Sequence, residues 1–311
     1  MSVQFLKHVA LTIPHEDSDR AIDFYGAFGL QVRRGSERIS FTCSGRRYES
    51  LLLLPGDGGK KLHHIAMGTN SEGLADIRRN MENFGLCNET APPGFSSQVD
   101  DVWCRSPQGF LFHISVCERE REVTPEQPFL INSPGHYNRI NGGALPPKSE
   151  LPTVRPRKLG HSLLFTPDLN KSIEFLIQVL GMRLSDRSQD VVAFLHCQGG
   201  SDHHVIALAQ STAIGFHHAS FMVATPDEVG RGGQQMAQQG YEKGWGFGRH
   251  AIGSNFFHYV QDPWGSFIEY YADIDYIDNS DTWEAKNWPL EDSLFTWGPN
   301  PPEDFVHNYE A

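Results

Sequence analysis

The sequence predicts an α+β fold of four βαβββ modules, which pair into two domains that are each an open mixed-sheet barrel. One pattern occurs four times in the 311 residues: a histidine opens an alternating apolar stretch, a stretch with helical spacing follows, and a glycine ends it. Short runs of alternating apolar residues then follow each glycine, as half-buried strands do. Because a single module would leave one face of its sheet exposed, the modules are expected to pair.

The repeat keeps a nearly constant spacing between its first histidine and its glycine. The separations are 21, 21, 20 and 22 positions, for His8 to Gly29, His64 to Gly85, His161 to Gly181, and His218 to Gly240. The stretch between them has apolar residues at a helical period, as in "KSIEFLIQVL" of the third module. A glycine directly after such a stretch is typical of a left-handed helix end.

These modules divide the chain into four parts. Modules one and two predict an N-terminal domain over residues 1–123, and modules three and four predict a C-terminal domain over residues 158–273. Residues 124–157 are rich in Pro, Gly and Asn and predict a linker wrapped on the surface. Residues 274–311 form an acidic tail, which is expected to pack on the domain through its aromatic side chains: Trp283, Trp288, Phe295 and Trp297.

Composition and charge exclude several classes of protein. Apolar residues make up 39% of the chain and charged residues 21%, which is typical of soluble globular proteins. The net charge of −12 argues against binding to nucleic acid or to an anionic membrane. The five cysteines form no CxxC pair, which disfavours a disulfide framework and a thiolate zinc site. This usage of cysteine predicts a reducing, cytoplasmic location.

A carboxylate within an apolar strand is the least expected feature of the chain. Glu269 stands in "SFIEYY", just after the turn signal "DPWG". Burial of a carboxylate is costly unless something pairs with it. The same half of the chain is rich in candidate partners, because eight of the 15 histidines lie between positions 161 and 258.

Two of these histidines occupy equivalent positions in the repeat. His161 opens the third module and His218 opens the fourth, while Glu269 lies on the last strand of the fourth. Pairing of the two modules would bring the two imidazoles and the carboxylate together, as in the 2-His-1-carboxylate sites of non-haem Fe(II). His217 is the competing ligand. Strict alternation would point it away from the face of His218, and the repeat spacing favours His218.

A longer motif around Glu269 resembles a known family. The stretch "GRHAIGSNFFHYVQDPWGSFIEYY" is similar to the signature of the type I extradiol ring-cleaving dioxygenases, which are catechol 2,3-dioxygenase-like members of the vicinal oxygen chelate (glyoxalase/bleomycin resistance) superfamily. The four-module layout and the aromatic tail extend the resemblance to essentially the whole chain. His258 departs from the signature, where an aliphatic residue or Phe is usual, and its side chain is expected to point away from the site.

The resemblance implies a metal site and a set of catalytic residues. His161, His218 and Glu269 match the iron ligands of the family. His204 matches its acid–base histidine, although His203 beside it is a second candidate, expected on the opposite face. Two further residues, His250 and Tyr259, match residues that are catalytic and hydrogen-bond the substrate. Asn255 is a further candidate for substrate binding.

The resemblance also implies a reaction. The chain is expected to bind Fe(II), with Mn(II) as the other candidate, and to insert O2 next to the diol of a catechol or trihydroxylated aromatic, giving a muconic semialdehyde-type product. The substrate is expected to be monocyclic, and Arg249 is either a contact for a substrate carboxylate or a solvated side chain. A homo-oligomer is expected. The alternatives are a glyoxalase-like isomerase or lyase and a non-catalytic aromatic-binding protein.

The N-terminal half contains a similar set of residues. His8, His64 and His113 fall at the repeat positions of the three predicted ligands, which makes a second metal site conceivable. The resemblance implies instead that this half is a degenerate, structural copy.

Overall fold

The computed structural model describes residues 2–122, 130–143 and 146–311. It contains one seven-stranded sheet, one ten-stranded sheet and one two-stranded sheet. Four α-helices are present in the described ranges, and none of them is long and apolar enough to cross a bilayer.

The first two modules build the seven-stranded sheet. The elements of module one are β1 (Phe5–Pro14), α1 (Ser18–Ala27), β2 (Gln31–Arg34), β3 (Ile39–Thr42) and β4 (Leu51–Gly56). Those of module two are β5 (Lys61–Thr69), α2 (Ser71–Phe84), β6 (Asp101–Arg105) and β7 (Leu111–Val116). The strands lie in the order β2-β3-β4-β1-β5-β7-β6.

The third and fourth modules build most of the ten-stranded sheet. The elements of module three are β8 (Lys158–Thr166), α3 (Leu169–Gln178), β9 (Arg183–Ser188), β10 (Val192–His196), β11 (Ser201–Asp202) and β12 (Ile206–Gln210). Those of module four are β13 (Gly215–Met222), α4 (Pro226–Gln238), β14 (Gly244–His250), β15 (Phe256–Gln261) and β16 (Phe267–Ala272). The tail adds β17 (Tyr276–Ile277), β18 (Lys286–Asn287) and β19 (Phe295–Trp297).

The predicted fold class is confirmed, with one difference in module two. The opening strands of paired modules lie antiparallel at the centre of each sheet, β1 beside β5 and β8 beside β13, and each also has a parallel neighbour. Module two has only two strands after its helix, because residues 86–100 form turns and irregular backbone. That segment contains Pro92, Pro93 and Gly94, which disfavour a strand.

The helix ends follow from the sequence. The side chains of Asn70, Asp168 and Thr225 accept hydrogen bonds from the first turns of α2, α3 and α4, respectively. The four repeat glycines have φ of 98°, 78°, 69° and 85°, in the left-handed region that a side chain disfavours: Gly29, Gly85, Gly181 and Gly240.

Strand register places the predicted site in one row across the sheet. His161 pairs with Ser220, Ser220 with Glu269, and Glu269 with Tyr259. His218 lies two residues before Ser220 and therefore faces the same side of β13. The residues of this row lie close together because each is on one of four neighbouring strands: β8, β13, β16 and β15.

The two large sheets are joined through buried side chains. Phe28 of module one stacks on Tyr270 of module four with ring centroids 3.8 Å apart, and the Tyr270 hydroxyl donates to the Phe28 carbonyl. Lys60 is 2% exposed and lies 3.5 Å from Asp262 of the "DPWG" turn and 3.9 Å from Glu310. The end of the chain is thus part of the contact between the modules.

Two glycines inside α4 allow it to pack closely on the sheet. A Cβ at Gly232 would lie 2.8 Å from the Tyr270 ring, and one at Gly233 would collide with the His258 imidazole. Each glycine costs a helix about 1 kcal/mol relative to alanine. The side chain of His258 therefore lies against α4.

The position of His258 predicts a loss of stability in acid. Burial lowers its pKa to about 4, whereas an unfolded histidine titrates near ~6.5. The unfolded chain therefore takes up a proton first, and stability that is present above pH 6.5 is lost as the pH falls towards 4. Replacing His258 with Phe removes this loss. The free energy of unfolding of the metal-free variant, relative to that of the natural sequence, should therefore be about 2 kcal/mol higher at pH 5 than at pH 7.5.

Urea unfolding of both proteins at the two pH values measures this change. His15→Phe, at an exposed histidine, is the matched control and should leave the pH dependence unaltered. An equal pH dependence in His258→Phe and the natural sequence would contradict the prediction.

Candidate functional site

The structure brings His161, His218 and Glu269 together. Their candidate ligand atoms all lie within 4.8 Å of one another, and all three residues are buried. Nε2 of His161 lies 3.3 Å from Oε2 of Glu269, and Nε2 of His218 lies 3.6 Å from the same oxygen. The donors come from β8, β13 and β16 and share one face of the sheet.

Neutral groups hold the Glu269 carboxylate. The hydroxyl of Ser220 donates to Oε2, and Nδ2 of Asn255 lies 3.3 Å from Oε1. Glu269 and Asn255 are both 0% exposed. Within the described ranges, the ion-pair partners of Glu269 are all histidines. No lysine or arginine of these ranges therefore pairs with this carboxylate.

His217 and His218 lie side by side, which strict alternation did not predict. Their Nδ1 atoms are 2.6 Å apart because the register between β13 and β8 shifts between Phe216 and His218. Nε2 of His217 lies 2.6 Å from the Phe305 carbonyl, to which it donates. The expectation that His217 points away from the face of His218 is therefore wrong, although its two nitrogens are already engaged.

The contacts of His218 fit a metal. Its Nδ1 is engaged by His217, while its Nε2 is buried without a hydrogen-bond partner among the described residues. Burial is the largest cause that lowers the pKa of His218 well below its usual value, and it lowers the pKa of His217 to about 4. A buried, neutral imidazole nitrogen that faces a carboxylate is a metal-binding arrangement.

A second histidine pair lies beside the first. His204 contacts the ring of His161 at a centroid distance of 4.1 Å, and Nδ1 of His204 lies 3.1 Å from Nδ1 of His203. The Asp186 carboxylate accepts from Nε2 of His203 at 3.1 Å. Burial is the largest cause that lowers the pKa of His204 well below its usual value. His204 lines the cavity described next, whereas His203 does not.

His250 and Tyr259 form a hydrogen-bonded pair beside Glu269. Nδ1 of His250 donates to the Leu294 carbonyl at 2.7 Å, so its Nε2 accepts from the Tyr259 hydroxyl at 2.9 Å. Nε2 of His250 also lies 3.8 Å from Oε1 of Glu269. Burial, and then the Glu269 charge, raise the pKa of Tyr259 well above its usual value. The phenol is therefore a neutral hydrogen-bonding group.

These residues face a cavity of about 440 Å³. Its walls also carry apolar side chains, among them Val191, Val192, Phe194, Ile252, Leu290 and Leu294. No lysine or arginine lines it in the part of the chain that the structure describes. Arg249 instead pairs with Asp273 at 2.9 Å and lies over the ring of Phe256.

Residues of the tail contact both histidine pairs, His203–His204 and His217–His218. Trp283 Nε1 donates to the Ser185 carbonyl and its ring lies 5.3 Å from that of His203. Phe305 lies 4.8 Å from the ring of Trp245 and lines the cavity. The tail thus contacts His203 through Trp283 and His217 through the Phe305 carbonyl.

The N-terminal triad has the same register but different contacts. His8 pairs with Ala66 and Ala66 with His113, as His161, Ser220 and Glu269 do. Nε2 of His8 lies 3.0 Å from Nε2 of His64, while Nε2 of His113 is bound to Asp101 at 3.2 Å. Among the described residues, the group of three that could hold a metal is the C-terminal one.

Sequence reasoning missed four partners of the site residues. These are Ser220, Asp186, and the carbonyls of Leu294 and Phe305. The register of the repeat could have found Ser220, because it lies between His161 and Glu269. The two carbonyls leave no mark in the sequence.

Comparisons with known proteins agree with this geometry. The family model described as the Glyoxalase/Bleomycin resistance protein/Dioxygenase superfamily matches residues 158–270. Metapyrocatechase 2 of Cupriavidus necator is 40% identical over 315 residues, which cover 100% of this chain and 93% of that protein.

Two solved structures share the fold. An extradiol ring-cleaving dioxygenase from B. fuscum has a TM-score of 0.76 at 19% identity and covers 98% of this chain and 81% of its own. A Mn(II)-bound glyoxalase from Novosphingobium aromaticivorans has a TM-score of 0.75 at 22% identity, with coverages of 97% and 93%. A dioxygenase and a glyoxalase therefore share this fold, and the fold does not distinguish between them. The 40% identity to Metapyrocatechase 2 over the full chain does. The chain belongs to the extradiol ring-cleaving dioxygenases of the Glyoxalase/Bleomycin resistance protein/Dioxygenase superfamily, as the motif resemblance predicted.

Proposed function

We propose that this protein is an Fe(II)-dependent extradiol dioxygenase that inserts both atoms of O2 next to the diol of an uncharged catechol, giving a muconic semialdehyde-type product. The observation that carries the proposal is the convergence of His161, His218 and Glu269 at an apolar cavity, with a buried unpaired nitrogen on His218. Two neutral donors and one carboxylate typify mononuclear non-haem iron sites. Mn(II) is the alternative metal.

His161, His218 and Glu269 would hold the metal, which the diol would chelate through both oxygens and which would supply the redox chemistry with O2. The protein groups around it handle protons. Because Nε2 of His203 donates to Asp186, Nδ1 of His203 can accept from His204, which leaves Nε2 of His204 with a free lone pair. We assign His204 as the base that takes a proton from one catechol hydroxyl.

Tyr259 and His250 orient the other side of the substrate. Because the Tyr259 hydroxyl donates to His250, the phenol oxygen keeps lone pairs that can accept from a substrate hydroxyl. The contact of Asn255 with Glu269 favours a role in holding the carboxylate. Substrate binding by Asn255 stays a prediction.

The lining of the cavity supports an uncharged ring substituent. A carboxylated catechol would bring an anion to apolar walls without a cation, and an unpaired buried charge is costly. The pairing of Arg249 with Asp273 favours its reading as a surface residue over a substrate contact.

The alternatives have less support. A glyoxalase-like isomerase or lyase would lean on further carboxylate ligands, and the metal group found in the described residues contains one. In a protein that only binds aromatic molecules, the hydrogen bonds that link Asp186 to His203 and His203 to His204 would have no function. A cytoplasmic location is supported by the five cysteines, which are all free. The expected homo-oligomer stays a prediction.

Turnover of catechols tests the function. The protein loaded anaerobically with Fe(II) should consume O2 with catechol or 4-methylcatechol and form a yellow ring-fission product. With 3,4-dihydroxybenzoate, we expect kcat/KM to fall by about 100-fold, because ~3 kcal/mol is a modest cost for an unpaired buried anion. No product from any catechol would refute the proposal.

One variant tests the effect of a positive charge at the cavity in this assay. Leu290 is 49% exposed at the cavity and can be replaced by Arg, which should raise kcat/KM for 3,4-dihydroxybenzoate relative to catechol. Val99→Arg, at a residue 86% exposed and outside the cavity lining, is the control and should leave this ratio unchanged.

The ligand assignment predicts which changes release the metal. Glu269→Gln removes the negative charge while keeping the shape, so metal retained after gel filtration should fall below one tenth of an equivalent. Ser220→Ala removes one donor to the carboxylate and should weaken metal binding by about 10-fold, as for other groups that orient a ligand. Glu303→Gln, at an exposed carboxylate, is the control. Full iron retention by Glu269→Gln would show that the assignment is wrong.

The assignment of His204 predicts a defect that leaves the metal in place. Asp186→Leu removes the acceptor that fixes His203 and should lower kcat about 10- to 100-fold, with metal content unchanged. The pH–rate profile should also change on its acidic side, because His204 no longer has a fixed partner. Asp190→Leu, whose carboxylate is 83% exposed, is the control. An unchanged kcat and profile would remove Asp186 from the mechanism.

A further inference from the structure

We infer that the C-terminal segment of residues 305–310, here called the C-terminal latch, fixes the tautomer of the metal ligand His218 by acting through His217. The latch and His217 position the ligand His218 and are not ligands themselves. Both nitrogens of His217 are hydrogen-bonded, and the group that could hold a metal consists of His161, His218 and Glu269. This inference rests on the metal centre proposed above and does not depend on which reaction occurs there.

The hydrogen-bond chain has one direction. A backbone carbonyl can only accept, so the 2.6 Å contact with Phe305 requires a proton on Nε2 of His217. A neutral imidazole carries one N–H, which leaves a lone pair on Nδ1 of His217. The two Nδ1 atoms, 2.6 Å apart, then share the proton of His218. Nε2 of His218 is left unprotonated and directed at the Glu269 carboxylate.

The latch is anchored next to the strand that carries both histidines. Nδ2 of Asn308 donates to the Ala213 carbonyl at 3.1 Å and lies 3.3 Å from the Ser211 hydroxyl. Both partners immediately precede β13. Gly215 leaves the space for this side chain, because a Cβ there would collide with Oδ1 of Asn308.

A second anchor lies on the N-terminal sheet. The Glu310 carboxylate accepts from the backbone N–H of Leu62 at 2.9 Å and lies 3.9 Å from Lys60. The ring of Tyr309 covers Gly265 of the turn before β16. The position of the Phe305 carbonyl therefore depends on both sheets and on the turn that leads to Glu269.

Packing explains the Phe305 ring but not its carbonyl. The ring contacts Trp245, Tyr259 and Phe267 at centroid distances of 4.8 to 5.1 Å, which any apolar side chain could do in part. The carbonyl contacts Nε2 of His217, whose Nδ1 in turn contacts His218. Among the described residues, this carbonyl contact is the one that selects a tautomer of His217.

Two substitutions of His217 separate tautomer control from packing. In His217→Asn, Oδ1 replaces Nδ1 as the acceptor for His218, whereas the amide does not reach Phe305. In His217→Gln, the amide takes the place of Nε2 and the acceptor for His218 is lost. We expect the Kd for Mn(II), measured by electron paramagnetic resonance under anaerobic conditions, to rise at least 10-fold more in His217→Gln than in His217→Asn.

The opposite order would overturn the inference, because a packing role favours Gln, which is closer to His in size. His217→Phe, which keeps the ring but has no acceptor, should bind Mn(II) 10- to 100-fold more weakly. His307→Phe, at an exposed latch histidine, is the matched control and should bind like the natural sequence.

Truncation tests the latch itself. Removal of residues 308–311 deletes both anchors and leaves Phe305 in the chain, so Mn(II) affinity should fall about 10-fold while thermal unfolding of the metal-free protein stays cooperative. Selective 15N-histidine NMR of the same metal-free protein should show His218 losing its single Nδ1–H tautomer. Unchanged affinity and tautomer would refute the role of the latch.

Failure of this inference and failure of the proposed function give different results. If the natural sequence binds neither Fe(II) nor Mn(II), the metal centre is wrong. If it binds metal and the His217 variants and the truncation bind equally well, the metal centre stands and the latch has no part in it.

Discussion

The structure depends on a buried carboxylate that the protein does not neutralise by itself. Glu269 is 0% exposed, and its partners are a hydroxyl, an amide and histidines. An unpaired buried charge costs several kcal/mol, and hydrogen bonds from neutral donors recover only part of that cost. A divalent cation bound as proposed would recover the rest. The same carboxylate therefore makes the empty fold costly and the metal-bound fold stable, which links metal binding to folding.

The second requirement is that the surrounding imidazoles stay neutral. Burial lowers the pKa of His204, His218 and His250, so each has one N–H and one lone pair at neutral pH. A neutral imidazole is useful only if the correct nitrogen is free. Each of the three is fixed on its Nδ1 side: His204 by His203, His218 by His217 and His250 by the Leu294 carbonyl. The Nε2 lone pairs of His204 and His218 are therefore directed into the site, and that of His250 accepts from the Tyr259 hydroxyl.

The repeat and its register made much of this predictable from the sequence. Equivalent positions in paired modules must lie near the same axis, which is why the sequence alone predicts that His161 and His218 meet Glu269. The faces of adjacent histidines could not be predicted, because the register shift at His217 breaks the alternation of β13. Partners such as Phe305, 88 positions from His217, depend on tertiary packing that has no local signal.

The two halves of the chain show what the register alone can and cannot do. His8, Ala66 and His113 lie in the same cross-strand row as His161, Ser220 and Glu269. In the first row the position of Glu269 is taken by His113, which stacks on Trp103 and binds Asp101, and the position of Ser220 is taken by an alanine. In the described part of the chain, that row offers the two opening histidines no carboxylate, and Nε2 of His8 and Nε2 of His64 hydrogen-bond to each other instead. Backbone geometry brings three side chains together in both halves. Among the described residues, the row that contains an acid is the one whose side chains could hold a metal.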